Sequence, residues 1–121
     1  MRSSLIRKVS VASVVLAISF VMCMLEMGPE AHAQEEGQAA FVEAGCARCH
    51  SVKTAELEAT VAERMRGPDL GTVGTDPDHD AAWVVAVLKQ KTELDSGPHR
   101  ARFRGSDDPL NAIAAWFVEL K

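Results

Sequence analysis

From Gly45 to His50 the chain reads Gly-Cys-Ala-Arg-Cys-His, and this run narrows the possible folds more than any other stretch. Two thiols three positions apart, with an imidazole directly after the second, can close a disulfide, hold a metal ion or bond a prosthetic group. Each option needs different surroundings. A lone Cys-x-x-Cys disulfide closes too small a loop to stabilise much. A catalytic dithiol sits at a helix start that follows a strand, and no such βαβ pattern is present. A structural zinc ion needs four ligands. Cys46, Cys49 and one of His50, His79 or His99 can be assembled, but the usual second ligand pair is missing.

The start of the chain sets the compartment. Arg2, Arg7 and Lys8 precede an uncharged run from Val9 to Leu25, and Ala31-His32-Ala33 follows. A basic start, an apolar centre and small residues at −3 and −1 read as a secretory signal peptide, residues 1–33, cut after Ala33. The competing reading is an uncleaved membrane anchor, since the run is near the lower limit of about 17–25 residues for a span. Cys23 lies inside the run behind bulky Phe20-Val21-Met22, which does not suit lipid attachment, so Cys23 leaves with the leader. Removing Arg2, Arg7, Lys8, Glu26 and Glu30 leaves ten basic and fifteen acidic side chains, a net charge of about −5. That balance excludes a nucleic-acid binder, which needs a basic stripe against phosphates. Residues 34–121 form one small domain, short of core and helped by any cofactor.

Hydrophobic periodicity predicts helices and no strands. Gln34–Gly45 reads as a short helix stopped by Gly45, with Gly37 and Phe41 on one face. Ser51–Arg66 has weak helical character between Thr54 and Met65, and Gly67–Asp80 is a Gly/Pro/Asp-rich loop. Asp80–Lys91 reads as a helix capped by Asp80 with lysines in its last turn. Ser96–Gly105 is a loop, and Ser106–Lys121 a helix capped by Ser106, with Leu110, Ile113, Ala114, Phe117 and Leu120 inward and Trp116 at the edge. Few helices and long loops imply that something other than side chains fills the centre.

Cys-x-x-Cys-His is the attachment signature of a c-type haem. The thiols add across the two porphyrin vinyl groups, and the adjacent histidine is held under the iron. With its export signal, first helix and apolar last helix, the stretch Gln34–Lys121 resembles the class I cytochrome c family. Gly37, Phe41, Cys46-Ala47-Arg48-Cys49-His50, the loop Gly67-Pro68-Asp69-Leu70-Gly71-Thr72-Val73-Gly74 and the ending Ala112–Lys121 carry the resemblance. It implies an all-α cytochrome c fold around one covalent haem, bound through Cys46 and Cys49. It also implies His50 as proximal ligand, oriented by the Pro68 carbonyl, and Gly37 letting the first helix cross the last, with Phe41 near Trp116 or Phe117.

The resemblance departs at the sixth ligand. The family's usual methionine before the last helix is absent; of five methionines only Met65 survives cleavage, on the wrong side of the chain. His99 lies seven residues before Ser106, where that methionine falls, and His99, Phe103, Gly105 and Ser106 resemble a segment found in a subset of small class I proteins. His50/His99 coordination is therefore expected, with Met65, His79 or an open position as alternatives. Imidazole in place of thioether implies a lower potential. Arg100, Arg102 and Arg104 read as solvated loop residues, or as a group facing the haem rim or a docking partner. Trp83 reads as core lining the haem crevice.

The function implied is a periplasmic, monomeric electron carrier that passes electrons between partner proteins and transforms no substrate. Two other readings stand beside it: a haem subunit of a larger oxidoreductase, and a ligand-binding or peroxidase-like protein with a labile sixth position.

Overall fold

The structure, a computed structural model, describes residues 28–121. The apolar run Val9–Leu25 and most of the expected leader lie outside them. No helix among the described residues is long and apolar enough to cross a membrane. Helix α1 spans Pro29–Glu43 and so begins upstream of the expected start at Gln34. Pro29 suits a first helical position, where its missing N–H costs nothing. Gly45, at φ 78°, reverses the chain after α1 and leads into a single 3-10 turn over Cys46–Arg48.

The weak helix expected between Thr54 and Met65 does not form. Only short 3-10 turns appear there, at Lys53–Ala55 and Glu63–Met65. Val52 and Leu57 pair across an isolated bridge, with Glu56 in the left-handed region. Backbone groups that a helix would satisfy internally are instead spent on the motif segment. Val61 N donates to Arg48 O, Gly67 N to Cys49 O and Leu70 N to Ser51 O, at 2.8–3.0 Å. Residues 61–70 are thus laced alongside 48–51.

Helix α2, Ala81–Leu88, is capped as expected: the Asp80 carboxylate accepts from Trp83 N at 2.7 Å. It ends sooner than the sequence suggests, because Gln90 adopts φ 56° and turns the chain away. Helix α3 spans Asp107–Val118. Ser106 occupies the cap position, but its hydroxyl makes no capping bond. Asp107 and Asp108 in the first turn supply the negative charge that a helix start favours.

Two packing contacts set the frame, α2 against α3 and the Val73–Thr75 turn against the end of α3. A third, between α1 and α3, needs a glycine. A Cβ on Gly37 would meet the Trp116 Cβ and come within 2.6 Å of the Ala112 carbonyl oxygen. Phe41, 1 % exposed, meets Trp116 edge-on at 5.5 Å and Phe117 at 5.6 Å between ring centres. Trp116 is not at the helix edge, as its place in the pattern suggests, but buried at 3 % exposure under α1. Leu110, Ile113, Ala114, Phe117 and Leu120 are buried as expected. Each large apolar side chain so buried stabilises the fold by about 1.5–3 kcal/mol. Among the described residues there are three α-helices and no strand.

Lys89, just past α2, donates to the Asp107 carboxylate at 2.7 Å and joins the two helix ends. That bond holds the Asp107 carboxyl below its ordinary value.

Two outcomes follow. Gly37→Ala forces a methyl into the α1–α3 crossing, and chemical denaturation should show a loss of about 1–3 kcal/mol despite alanine's better helix propensity. Because Asp107 is ionised in the folded chain over a range where the unfolded chain takes up a proton, its contribution is present above the unfolded value. It is lost as pH falls through the folded one. Asp107→Asn should therefore be slightly less stable near neutral pH, the carboxylate being exposed, and should converge with the unaltered protein at acid pH, so that the acid limb of its stability–pH curve is flatter.

Candidate functional site

The site is assembled from three loops. The Cys46–Arg48 turn places Cys49 and His50 after it, and His50 N donates back to Cys46 O at 3.0 Å. Both thiols are free, with no bond between them; Cys46 is half-buried and Cys49 exposed. Burial pushes the Cys46 thiol up, and Cys49 adds to the rise while a backbone hydrogen bond opposes it. An activated thiol is a lowered one, and Cys46 moves the other way.

The second loop, Gly67–Pro68, supports His50. His50 Nδ1 lies 2.9 Å from the Pro68 carbonyl oxygen. A carbonyl only accepts, so Nδ1 carries the proton and Nε2 is the basic nitrogen. Gly67 backs the same ring, and a Cβ there would lie 2.6 Å from His50 Nδ1 and collide with Cε1. The sequence points to Pro68 but not to Gly67, whose signal is only its place next to that proline.

The third loop brings His99. Leu94 and Gly97 pair through two backbone bonds around a tight turn, with Gly97 at φ 101°. His99 follows, its Nδ1 2.7 Å from the Ala101 carbonyl oxygen. Its Nδ1–H donates there by the same reasoning, again leaving Nε2 as the lone-pair nitrogen. The rings of His50 and His99 lie near each other, with centres 5.8 Å apart and planes only 18° apart.

The other candidates are engaged or misplaced. His79 stacks on Trp83 at 3.8 Å between ring centres, with its Nδ1 3.3 Å from the Val73 carbonyl oxygen and Nε2 3.7 Å from Asp76. Met65 is 53 % exposed and stands two residues before the glycine that backs His50. Arg100, Arg102 and Arg104 are exposed and form no ion pair among the described residues. Trp83, Leu57, Leu70, Val73, Leu88 and Phe103 pack on the core yet are only half-buried.

These residues fit a haem. His50 and His99, whose ring centres lie 5.8 Å apart, are the residues that would hold the iron, each through Nε2. Two thiols lie beside one of the rings, and half-buried apolar side chains suit a flat apolar group. No cluster of three or more acidic, histidine or cysteine side chains that could hold a bare metal ion occurs among the described residues, which sets aside the zinc reading.

Comparison with known proteins agrees with this geometry. A family model described as cytochrome c matches residues 34–120. No curated protein and no solved structure matches the chain significantly. The match covers all three α-helices in whole or part, both thiols, His50 and His99, and the all-α architecture is the one expected of that family. The chain therefore belongs to the cytochrome c family, whose members bind haem c and in general carry electrons rather than transform a substrate.

Proposed function

We propose that the protein is an exported single-haem electron carrier, with one haem bonded through Cys46 and Cys49 and with His50 and His99 as axial ligands. The observation that carries this reading is the near-parallel pair of imidazoles, each with Nδ1 held by a backbone carbonyl. A bound haem supplies the one-electron iron couple. The chain's own residues do the rest. His50 is oriented by Pro68 and backed by Gly67, and His99 is oriented by Ala101. Two ligands fixed in this way keep the same geometry in both oxidation states, which favours electron transfer over binding or turning over a substrate. Attachment through sulfur keeps the cofactor with a protein that leaves the cytoplasm, in line with the leader read at residues 1–33 and cleavage after Ala33. The periplasm is the compartment proposed, donor and acceptor proteins are the partners, and the carrier acts as a monomer.

Expression of the full chain in a host that matures c-type haem should give a red protein. Its mass should equal residues 34–121 plus one haem, and its low-spin spectrum should be unaltered by carbon monoxide. Carbon monoxide binding by the unaltered protein would instead favour the ligand-binding or peroxidase-like reading, and co-purifying chains the oxidoreductase subunit. His99→Ala should lose the low-spin bands and bind carbon monoxide. His99→Met should keep them and raise the reduction potential by on the order of 100 mV. Unchanged bands in both would remove His99 from the iron.

Gly67→Ala should displace the His50 ring and lower the yield of low-spin product, with the apolar core spared. The check is the ratio of low-spin absorbance to total protein, beside the helical circular dichroism signal.

A further inference from the structure

We infer that Gln90 is a positioning residue for His99, holding the loop that carries it through a hydrogen bond to the His99 carbonyl. The inference rests on the proposed reading of His99 as an axial ligand. Gln90 Nε2 donates to His99 O at 2.6 Å. Among the described residues, it is the one hydrogen bond joining residues 98–102 to anything outside their own loop. The Leu94–Gly97 pair and the His99–Ala101 contact are internal to that loop, and the next tie is Phe103 N to Leu88 O at 2.8 Å.

The backbone of Gln90 makes the case stronger. Gln90 N donates to Val87 O at 3.0 Å and Lys91 N to Ala86 O at 2.8 Å. With Gln90 at φ 56°, this is the paired-bond helix ending that glycine fills most readily, because a Cβ is strained in the left-handed region. A glycine would close α2 with less strain. Glutamine at this position works against local stability, and residues that break a local rule mark places where something else is being served. Here that is the amide's reach to the His99 backbone. The hydrogen bond and the strained turn act together, since the left-handed turn at Gln90 carries the chain from the end of α2 into the loop that presents His99.

Positioning differs from simple structural support in its outcome, since loss of a positioning bond moves stability and ligand hold in opposite directions when the turn is relieved. Gln90→Gly relieves the turn and deletes the amide. Gln90→Glu keeps the shape, but an ionised carboxylate cannot donate to a carbonyl. Both variants are made in the full chain, matured with haem, and compared with the unaltered protein and with His99→Ala. The readouts are the rate of carbon monoxide binding to the reduced protein and the thermal midpoint. The expected result is a carbon monoxide rate raised roughly tenfold in both variants, the change that loss of one ordinary hydrogen bond allows. The midpoint of Gln90→Gly should be equal to or above that of the unaltered protein. Rates within about twofold of the unaltered protein in both variants, while His99→Ala binds carbon monoxide freely, would overturn the positioning role and leave the ligand reading standing. A low-spin spectrum that His99→Ala leaves unchanged would overturn both. A raised rate that accompanies a lowered midpoint in both variants would also overturn the inference, since general loosening then accounts for it.

Discussion

The bond from His50 Nδ1 to the Pro68 carbonyl is the interaction on which the rest of the site depends. It fixes the tautomer and the ring plane, and so decides which nitrogen of His50 is available as a ligand. It can form only because the loop is drawn against the motif segment by Gly67 N to Cys49 O and Leu70 N to Ser51 O. It also needs the backing residue, Gly67, to have no side chain. The poor helix formation over 54–65 belongs to the same arrangement. A helix there would consume the backbone donors that instead lace residues 61–70 to the thiol turn.

The helices make this possible from a distance. Gly37 lets α1 lie directly on α3, and Phe41, Trp116 and Phe117 close that crossing with edge and tilted aromatic contacts. The frame holds the ends of the loops, and Leu57, Leu70, Trp83, Leu88 and Phe103 pack against its core while staying half-buried. A small chain that left this much apolar surface incompletely covered would be marginal on side-chain packing alone. The proposed haem supplies the missing apolar volume, so cofactor binding and folding stability become one quantity.

Much of this was legible in the sequence because it depends on residue type at fixed spacing. The thiol–imidazole cluster, the Gly37/Phe41 pair, Pro68, the Asp80 cap and the inward face of α3 are all local patterns. The rest depends on where the chain comes back to meet itself. Trp116 reads as a boundary residue on a helical wheel, and is buried because α1 lies over it. Ser106 is a good cap by type, yet its hydroxyl is not used, and acidic residues in the first turn carry that end of the helix. Gln90 carries no signal at all, because a glutamine after an apolar helix reads as solvent-facing. Its meaning comes from a backbone angle and a partner nine residues on. That His99 stands opposite His50 follows from the left-handed turn at Gln90 and the tight turn closed by Gly97, neither visible in hydrophobic periodicity.

Both imidazoles are fixed by backbone carbonyls, Pro68 for His50 and Ala101 for His99, and neither by a carboxylate. This choice has two physical effects. A carbonyl does not titrate, so the group that fixes each ring keeps the same charge at every pH. A neutral carbonyl also draws the Nδ1 proton less strongly than a carboxylate would. It therefore makes each imidazole a weaker donor to ferric iron. On the proposed coordination, replacing thioether by imidazole lowers the potential, while carbonyl rather than carboxylate partners limit how far it falls. On that coordination the potential would be set by two opposing choices, both made in loops, and the helical frame could stay the same while they vary.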